Sequence, residues 1–358
     1  MRIILTLLHP AHVHKFKHLV TRLTADGHQV KTVVIDKEIT QHLLKAYGMD
    51  YQLVGRNRKG LLRKIVELLK IEARMIKIAR EFKPDIFVGG GEPSTAHAAF
   101  LMRKPYLAFD DTEHAGLIIS AYKPFTKEII TPECFQKDFG KKQIRYKGFH
   151  ELAYLHPNHF TPDASRLAQM GIDKDEKYVI VRFIAMNATH DMGELSLSMD
   201  QKRELVSRLS KKAKVYISSE HQLPPDLEPY KVRFPAEKIH DALAFATLFV
   251  GESATMASEC AMLGTPAIYA SSQERGYTRE QQEKYQLVDI FDKTFDQVPD
   301  KALELLETKN IGEIYRKRRD KMLSEKIDVT AFMDWFIRDY PQSGRIMREN
   351  PAYQDRFI

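Results

Sequence analysis

The chain has 358 residues, 43% hydrophobic and 29% charged, a balance that excludes disordered and fibrous classes and describes a globular protein too long for one ordinary core. Two cysteines, Cys134 and Cys260, make neither a disulfide framework nor a metal-like spacing and fit a reducing cytoplasm, and no apolar run approaches the ~20 residues of a membrane span. The net charge of +7 is uneven: between Arg56 and Lys83 ten Lys or Arg stand against three Glu, so one segment carries a charge equal to the excess of the whole chain.

In "MRIILTLLHP" a short apolar run ends at Pro10, so Ile3–Leu8 reads as a buried strand, too short for the apolar core of a signal peptide. A helix follows over His14–Ala25, Gly27 sits where a C-cap glycine belongs, and Val30–Ile35 is a second strand. Leu61–Phe82 repeats apolar residues at helical spacing, with a basic opposite face. Asp85–Val88, Tyr106–Phe109 and Glu128–Ile130 are further strand candidates. Ala153–Ser165, with two prolines and little periodicity, reads as a linker. The pattern then restarts: strand Tyr178–Phe183, helix Met199–Lys211, strand Lys214–Ser218, helix Glu237–Ala246, strand Leu248–Val250, helix Ala254–Leu263, strand Ala267–Tyr269. Phe332–Tyr340 reads as a terminal helix stopped by Pro341. Such alternation predicts an α/β protein with parallel sheets covered by helices. The expected division is 1–152, a linker at 153–165, 166–330, and a tail at 331–358.

The two halves echo each other. "PDIFVGGGEPSTAHAAFLMRKPYLAF" and "ATLFVGESATMASECAMLGTPAIYA" both read strand, glycine turn, small-residue helix, break, proline, strand. Both turns fall at the carboxyl ends of strands, where open α/β sheets bind ligands. In the second, Gly251 lets backbone approach a ligand, and Ser253 caps a helix whose first turn would attract phosphate. Glu259 lies about 7.5 Å further along that helix, a fair reach from a diphosphate to the ribose of one nucleotide, whose diol offers two donors to a carboxylate. The plainer alternative is a capped core helix.

Ser253, Glu259 six residues later and "LGTP" (Leu263–Pro266) resemble the nucleotide-binding segment of GT-B glycosyltransferases and of the non-hydrolysing UDP-N-acetylglucosamine 2-epimerases. By that resemblance Ser253, Ala254 and Thr255 hold the diphosphate and Glu259 the ribose. "HPAHVHKFKHLVTRLTADGHQV", "GGGEPSTAHAAF" and "DDTEHAG" resemble the family of domain of unknown function 354 over nearly the whole chain. The implied fold is GT-B: two Rossmann-like domains with parallel sheets facing a central cleft, the nucleotide sugar on the second, and a C-terminal helix returning to the first. "GEPST" departs from the epimerases' Asp-Thr-Thr-Thr-like residues, which favours transfer over epimerisation.

The expected activity is therefore metal-independent glycosyl transfer from a nucleotide diphosphate sugar, such as a UDP sugar, with no cofactor. A lipid-linked or cell-surface polysaccharide precursor is one acceptor considered. The alternatives are a sugar-nucleotide 2-epimerase and a non-catalytic basic regulatory or nucleic-acid-binding protein on the same scaffold. Arg182, at the carboxyl end of "VIVRF", would pair with the diphosphate, and Phe234 would flank the base. His9 and His12 would meet a sugar or phosphate, and His190 is a further candidate. The base is expected from strand-end loops of the first half: Glu92 first, then Asp111 and His114, with Glu113 and His12 beside them. The Arg56–Lys83 segment is the expected contact to an anionic membrane or lipid-linked acceptor at the inner membrane face. "YRKRR" (Tyr315–Arg319) reads as a solvated helix face rather than a nucleic-acid site.

Overall fold

The computed structural model describes residues 1–36, 39–56, 61–113, 115–184, 197–219, 222–232, 234–273 and 275–358, with 36 and 61–65 by backbone alone. The apolar runs build two parallel sheets, one in each of two compact units. Unit 1 comprises Met1–His159 and Lys326–Ile358, and unit 2 comprises Phe160–Glu325.

The sheet of unit 1 is made of β1 (Arg2–Leu7), β2 (Gln29–Asp36), β3 (Gln52–Arg56), β4 (Ile86–Gly89), β5 (Tyr106–Phe109), β6 (Glu128–Pro132) and β7 (Gln143–Tyr146), in the order β3-β2-β1-β4-β5-β6-β7. The sheet of unit 2 is made of β8 (Tyr178–Phe183), β9 (Lys214–Ser219), β10 (Leu248–Gly251), β11 (Ala267–Ala270) and β12 (Val288–Phe291), in the order β12-β11-β10-β8-β9. Every pairing in both sheets is parallel. The inner strands β4, β5, β10 and β11 are buried throughout, because helices cover both faces of a parallel sheet.

The sequence reading omits β3, β7 and β12. All three are edge strands. An edge strand has one neighbour and partial cover, so "QLVGR", "QIRY" and "VDIF" mix buried with partly or fully exposed positions and lack a continuous apolar run. The first helix begins at Pro10, four residues before the expected start. His9 caps it, its Nδ1 accepting from Ala11 N–H at 3.2 Å, and Pro10 occupies the first turn, where a missing N–H costs nothing.

The C-terminal segment returns to unit 1. Asp328 caps helix Val329–Arg338 and also accepts from His159 Nε2 at 2.8 Å and Asn158 Nδ2 at 3.1 Å. One carboxylate thus ties the point where the chain leaves unit 1 to the point where it comes back. Burial would raise the Asp328 pKa, but these donors hold it well below the usual carboxylate range. Behind the cap, Phe332 is fully buried among the rings of Tyr146, Trp335, Phe336 and Phe357, at centroid distances of 5.6–6.0 Å. Phe332→Ala should therefore lower the stability of unit 1 by about 3–5 kcal/mol, the usual cost of emptying a buried phenyl site. Urea unfolding checks this; a shift under ~1 kcal/mol would mean that the returning helix is not part of this core.

Candidate functional site

In each sheet the strand order reverses at one place: between β1 and β4 in unit 1, and between β8 and β10 in unit 2. At a reversal the two loops leave toward opposite faces and open a crevice at the carboxyl edge. Arg182 and Gly251 stand at the second of these places, and His12 with Gly90 at the first.

In unit 2, Gly251 pairs with Arg182 across the reversal. A Cβ on Gly251 would stand 2.7 Å from the Arg182 carbonyl oxygen, so the close approach of the strand ends requires glycine. Ser253 then caps helix Ala254–Leu263, its Oγ accepting from Met256 N–H at 3.3 Å. Arg182 Nη1 donates to Ser218 Oγ on β9 at 3.1 Å, which steadies the guanidinium at the carboxyl edge. Phe234 lies edge-on to Tyr216 at 6.1 Å. Ala254 is buried and Thr255 half-buried.

Glu259 is buried, with Oε1 3.0 Å from Nε2 of His240 on helix Ile239–Phe245. It stands in a buried pair, which no reading of "SECAML" alone anticipates. Sequence reasoning also missed Glu252, whose oxygens take Lys202 Nζ at 2.9 Å and Ile184 N–H at 2.7 Å. Lys202 and Glu252 are both buried, and they fasten the loops after β8 and β10 to helix Met199–Leu209. His190 lies outside the described residues.

In unit 1, His12 packs on the "GGG" turn: a Cβ on Gly90 would fall 2.4 Å from its ring. Its Nδ1 accepts from Leu8 N–H at 3.4 Å, which leaves the proton of a neutral ring on Nε2. Burial and the nearby Lys15 charge hold its pKa well below the ordinary value. His9 is the helix cap described above. Glu92 caps helix Pro93–Leu101: its carboxylate takes Ser94 N–H at 3.0 Å, Thr95 N–H at 2.6 Å, and the hydroxyls of Ser94 at 2.5 Å and Thr95 at 2.7 Å. Four donors occupy the lone-pair directions that a general base would need. Glu113 accepts from Gln136 N–H at 2.8 Å, and His114 lies outside the described residues.

Asp111 is placed differently. Its side chain keeps 28% exposure while one oxygen lies 2.9 Å from His150 Nδ1. Lys15, three residues after His12 on the same helix, donates to Phe109 O at 2.8 Å and stands 3.4 Å from His150 Nε2. Burial would raise the Asp111 pKa, but His150 and Lys15 hold it far below the carboxylate range; burial in turn brings Lys15 down to about 8. Asp110, one residue earlier, is pushed up to about 6 by burial, against the pull of a hydrogen bond from Tyr122. The sequence reading found Asp111 but not Lys15 or His150. Lys15 could be found from its i+3 spacing to His12. His150 is 39 residues from its partner and belongs to no motif.

His14 does not join the site: it accepts or donates at Tyr47 OH at 3.0 Å and stacks on Tyr154. Among the described residues no group of three or more His, Cys, Asp or Glu converges as metal ligands do.

The architecture, two Rossmann-like parallel sheets with the C-terminal helix returned to the first, is that of GT-B enzymes. The chain belongs to the family described as protein of unknown function DUF354, whose model matches residues 1–323. An uncharacterized protein of Methanocaldococcus jannaschii is 24% identical over 279 residues, 75% of this chain and 81% of that one. Among solved structures, MnaA of S. aureus with UDP has a TM-score of 0.64 at 12% identity, covering 100% of this chain and 97% of that one. The UDP-GlcNAc 2-epimerase of Neisseria meningitidis bound to UDP-GlcNAc has a TM-score of 0.60 at 12% identity, covering 90% and 100%. A glycosyltransferase of Streptomyces sp. SF2575 complexed with thymidine diphosphate has a TM-score of 0.59 at 12% identity, covering 94% and 99%.

The Asp110 environment has a measurable consequence. Its folded pKa of about 6 lies above the ordinary 3.8, so between these values the folded state binds more protons than the unfolded one. Stability from this group is then present at low pH and falls as pH rises from about 4 to 6, by on the order of 3 kcal/mol. Asp110→Asn, which does not ionise, should remove that slope from urea unfolding of unit 1 at pH 4 and pH 7. A variant that keeps the wild-type slope would show that Asp110 is not the group responsible.

Proposed function

We propose that this chain is a GT-B glycosyltransferase that moves a sugar from a nucleotide diphosphate to an acceptor hydroxyl. The observation that carries the reading is the carboxyl edge of unit 2, where Arg182, the glycine approach at Gly251 and the Ser253-capped helix meet at the strand-order reversal. A helix N-terminus and a guanidinium are the usual protein partners of a diphosphate. The ligands in the similar structures, UDP, UDP-GlcNAc and thymidine diphosphate, support the same ligand class here.

In this reading Ser253, Ala254 and Thr255 bind the diphosphate, and Arg182 neutralises the charge that grows on it as the glycosidic bond breaks. That stabilisation does not call for a metal. Glu259 takes the ribose, sharing its carboxylate with His240, and Phe234 flanks the base. Unit 1 supplies the acid–base group. Asp111 fills that role better than Glu92, because its side chain is partly exposed and held by His150, whereas the Glu92 carboxylate is taken up by four cap donors. His12, with Nδ1 occupied, acts as a donor to sugar or acceptor oxygen.

Arg182→Ala should weaken UDP binding roughly 10- to 100-fold in calorimetry, since hydrogen bonds to a charged group contribute about 1.5–3 kcal/mol. If both Arg182→Ala and Glu259→Gln bind UDP, TDP and their sugars as the wild type does, the nucleotide assignment is lost. Asp111→Asn should keep nucleotide affinity and lose 10²–10⁴-fold in turnover, about the usual worth of general-base catalysis. Unchanged turnover would move the base elsewhere.

A 2-epimerase is the second reading. It is favoured by the structures of similar fold, among them the UDP-GlcNAc 2-epimerase of Neisseria meningitidis bound to UDP-GlcNAc. Incubation with UDP-GlcNAc in the absence of acceptor separates the two, because only an epimerase returns the C2 epimer.

A further inference from the structure

Helices Leu61–Phe82, Pro93–Leu101 and Gly116–Tyr122 pack on the sheet of unit 1 through one core that includes Met75, Ile78, Ala99, Ile119 and Tyr122. Their outer sides are unusual. Leu117 is 91% exposed, Leu69 and Leu101 61%, and Phe100 60%, with Leu68 and Ile118 at 44% and 51%. The three helices adjoin one another. His97 of the middle helix reaches Glu72 of the first at 2.8 Å and the Ala121 carbonyl of the third at 3.3 Å. Phe100 in turn touches Phe125, just past the third helix, at 5.2 Å between rings. Apolar groups clustered on a surface in this way mark an interaction site, whereas single exposed ones do not.

The same surface is basic. Lys70 and Lys77 are exposed further round the first helix, Arg103 and Lys104 just past the second, and Lys127 just before β6. On the first helix, over the described side chains 66–82, four cations stand against three Glu, and Lys77 lies 3.9 Å from Glu81. This pairing of chemistries selects the partner. A second copy of the chain meeting the same face would bring two like-charged segments together. A nucleic acid would pair with the cations and leave Leu117, Ile118 and Phe100 in water. An anionic bilayer satisfies both, with cations among the headgroups and apolar side chains at the acyl boundary. No helix among the described residues is long and apolar enough to cross a membrane, so the contact is one of surface docking.

We propose that this three-helix face docks the protein on an anionic lipid bilayer, with Leu69, Leu117 and Ile118 entering the acyl boundary. The docking rests on surface chemistry alone and does not depend on the reaction proposed above. The test is co-sedimentation of the full chain with vesicles of phosphatidylcholine alone and of phosphatidylcholine with phosphatidylglycerol. Wild type should bind the anionic vesicles, release them at high salt, and leave neutral vesicles unbound. The double variants Leu117→Ser with Ile118→Ser, and Lys70→Glu with Lys77→Glu, should each lose about tenfold or more in binding. Their melting temperatures should not change, because all four side chains are exposed. Equal binding to both vesicles, or binding to neither, overturns the proposal. So does a concentration-dependent dimer in sedimentation velocity that Leu117→Ser dissolves, for the face would then be covered by a second copy.

Discussion

A parallel strand cannot be joined to its neighbour by a tight turn; the chain must cross over, and it does so with one hand. A sheet that grows outward from an inner strand in both directions must therefore send its first crossovers to one face and its later ones to the other. Where the direction changes, adjacent strand ends are left without a shared covering loop. Both sheets of this protein obey that constraint, at β1/β4 and at β8/β10. The glycine turns at Gly89–Gly91 and at Gly251 stand at these points because the backbone there must pass close to a neighbour: the His12 ring in one case and the Arg182 backbone in the other.

The two edges are furnished differently. The edge in unit 2 combines small side chains, a capped helix and one guanidinium, held by polar groups that are themselves buried: Lys202 with Glu252, and His240 with Glu259. Losing one member of such a pair strands a buried charge or dipole, so these residues fix the loop geometry at least as firmly as local turn chemistry does. The edge in unit 1 instead gathers titratable groups at contrasting depths. Asp110 and Asp111 are neighbours in the chain, yet one is sealed beneath Tyr122 and the other keeps a solvent-facing side. Burial raises the pKa of Asp110, while His150 and Lys15 outweigh burial at Asp111 and lower it.

Much of this is legible in the sequence. The inner strands announce themselves as apolar runs because they are buried on both faces; β3, β7 and β12 stayed hidden because an edge strand needs no such run. The turn motifs at Gly90 and Gly251 are local and can be read from a dozen residues. Partners brought in from afar cannot. Nothing near Asp111 names His150, and nothing near Glu259 names His240, since both contacts are made by packing rather than by spacing. Glu92 is the instructive case. Its place in the repeated strand–turn–helix pattern suggested reactivity, and the structure shows the most local of uses, a carboxylate closing the first turn of its own helix.

The carboxylate of Asp328 joins the two places where the chain passes out of unit 1 and back into it. Unit 1 is discontinuous: its sheet is complete by Tyr146, but helix Val329–Arg338, which fills its core with Phe332 and Phe336, lies beyond the whole of unit 2. On the ribosome the order of assembly is therefore inverted. Unit 2, though started later, has all its residues first, while the earlier sheet waits with an open apolar face until residues 326–358 emerge. For that interval it is the half of the nascent protein that needs shelter from aggregation.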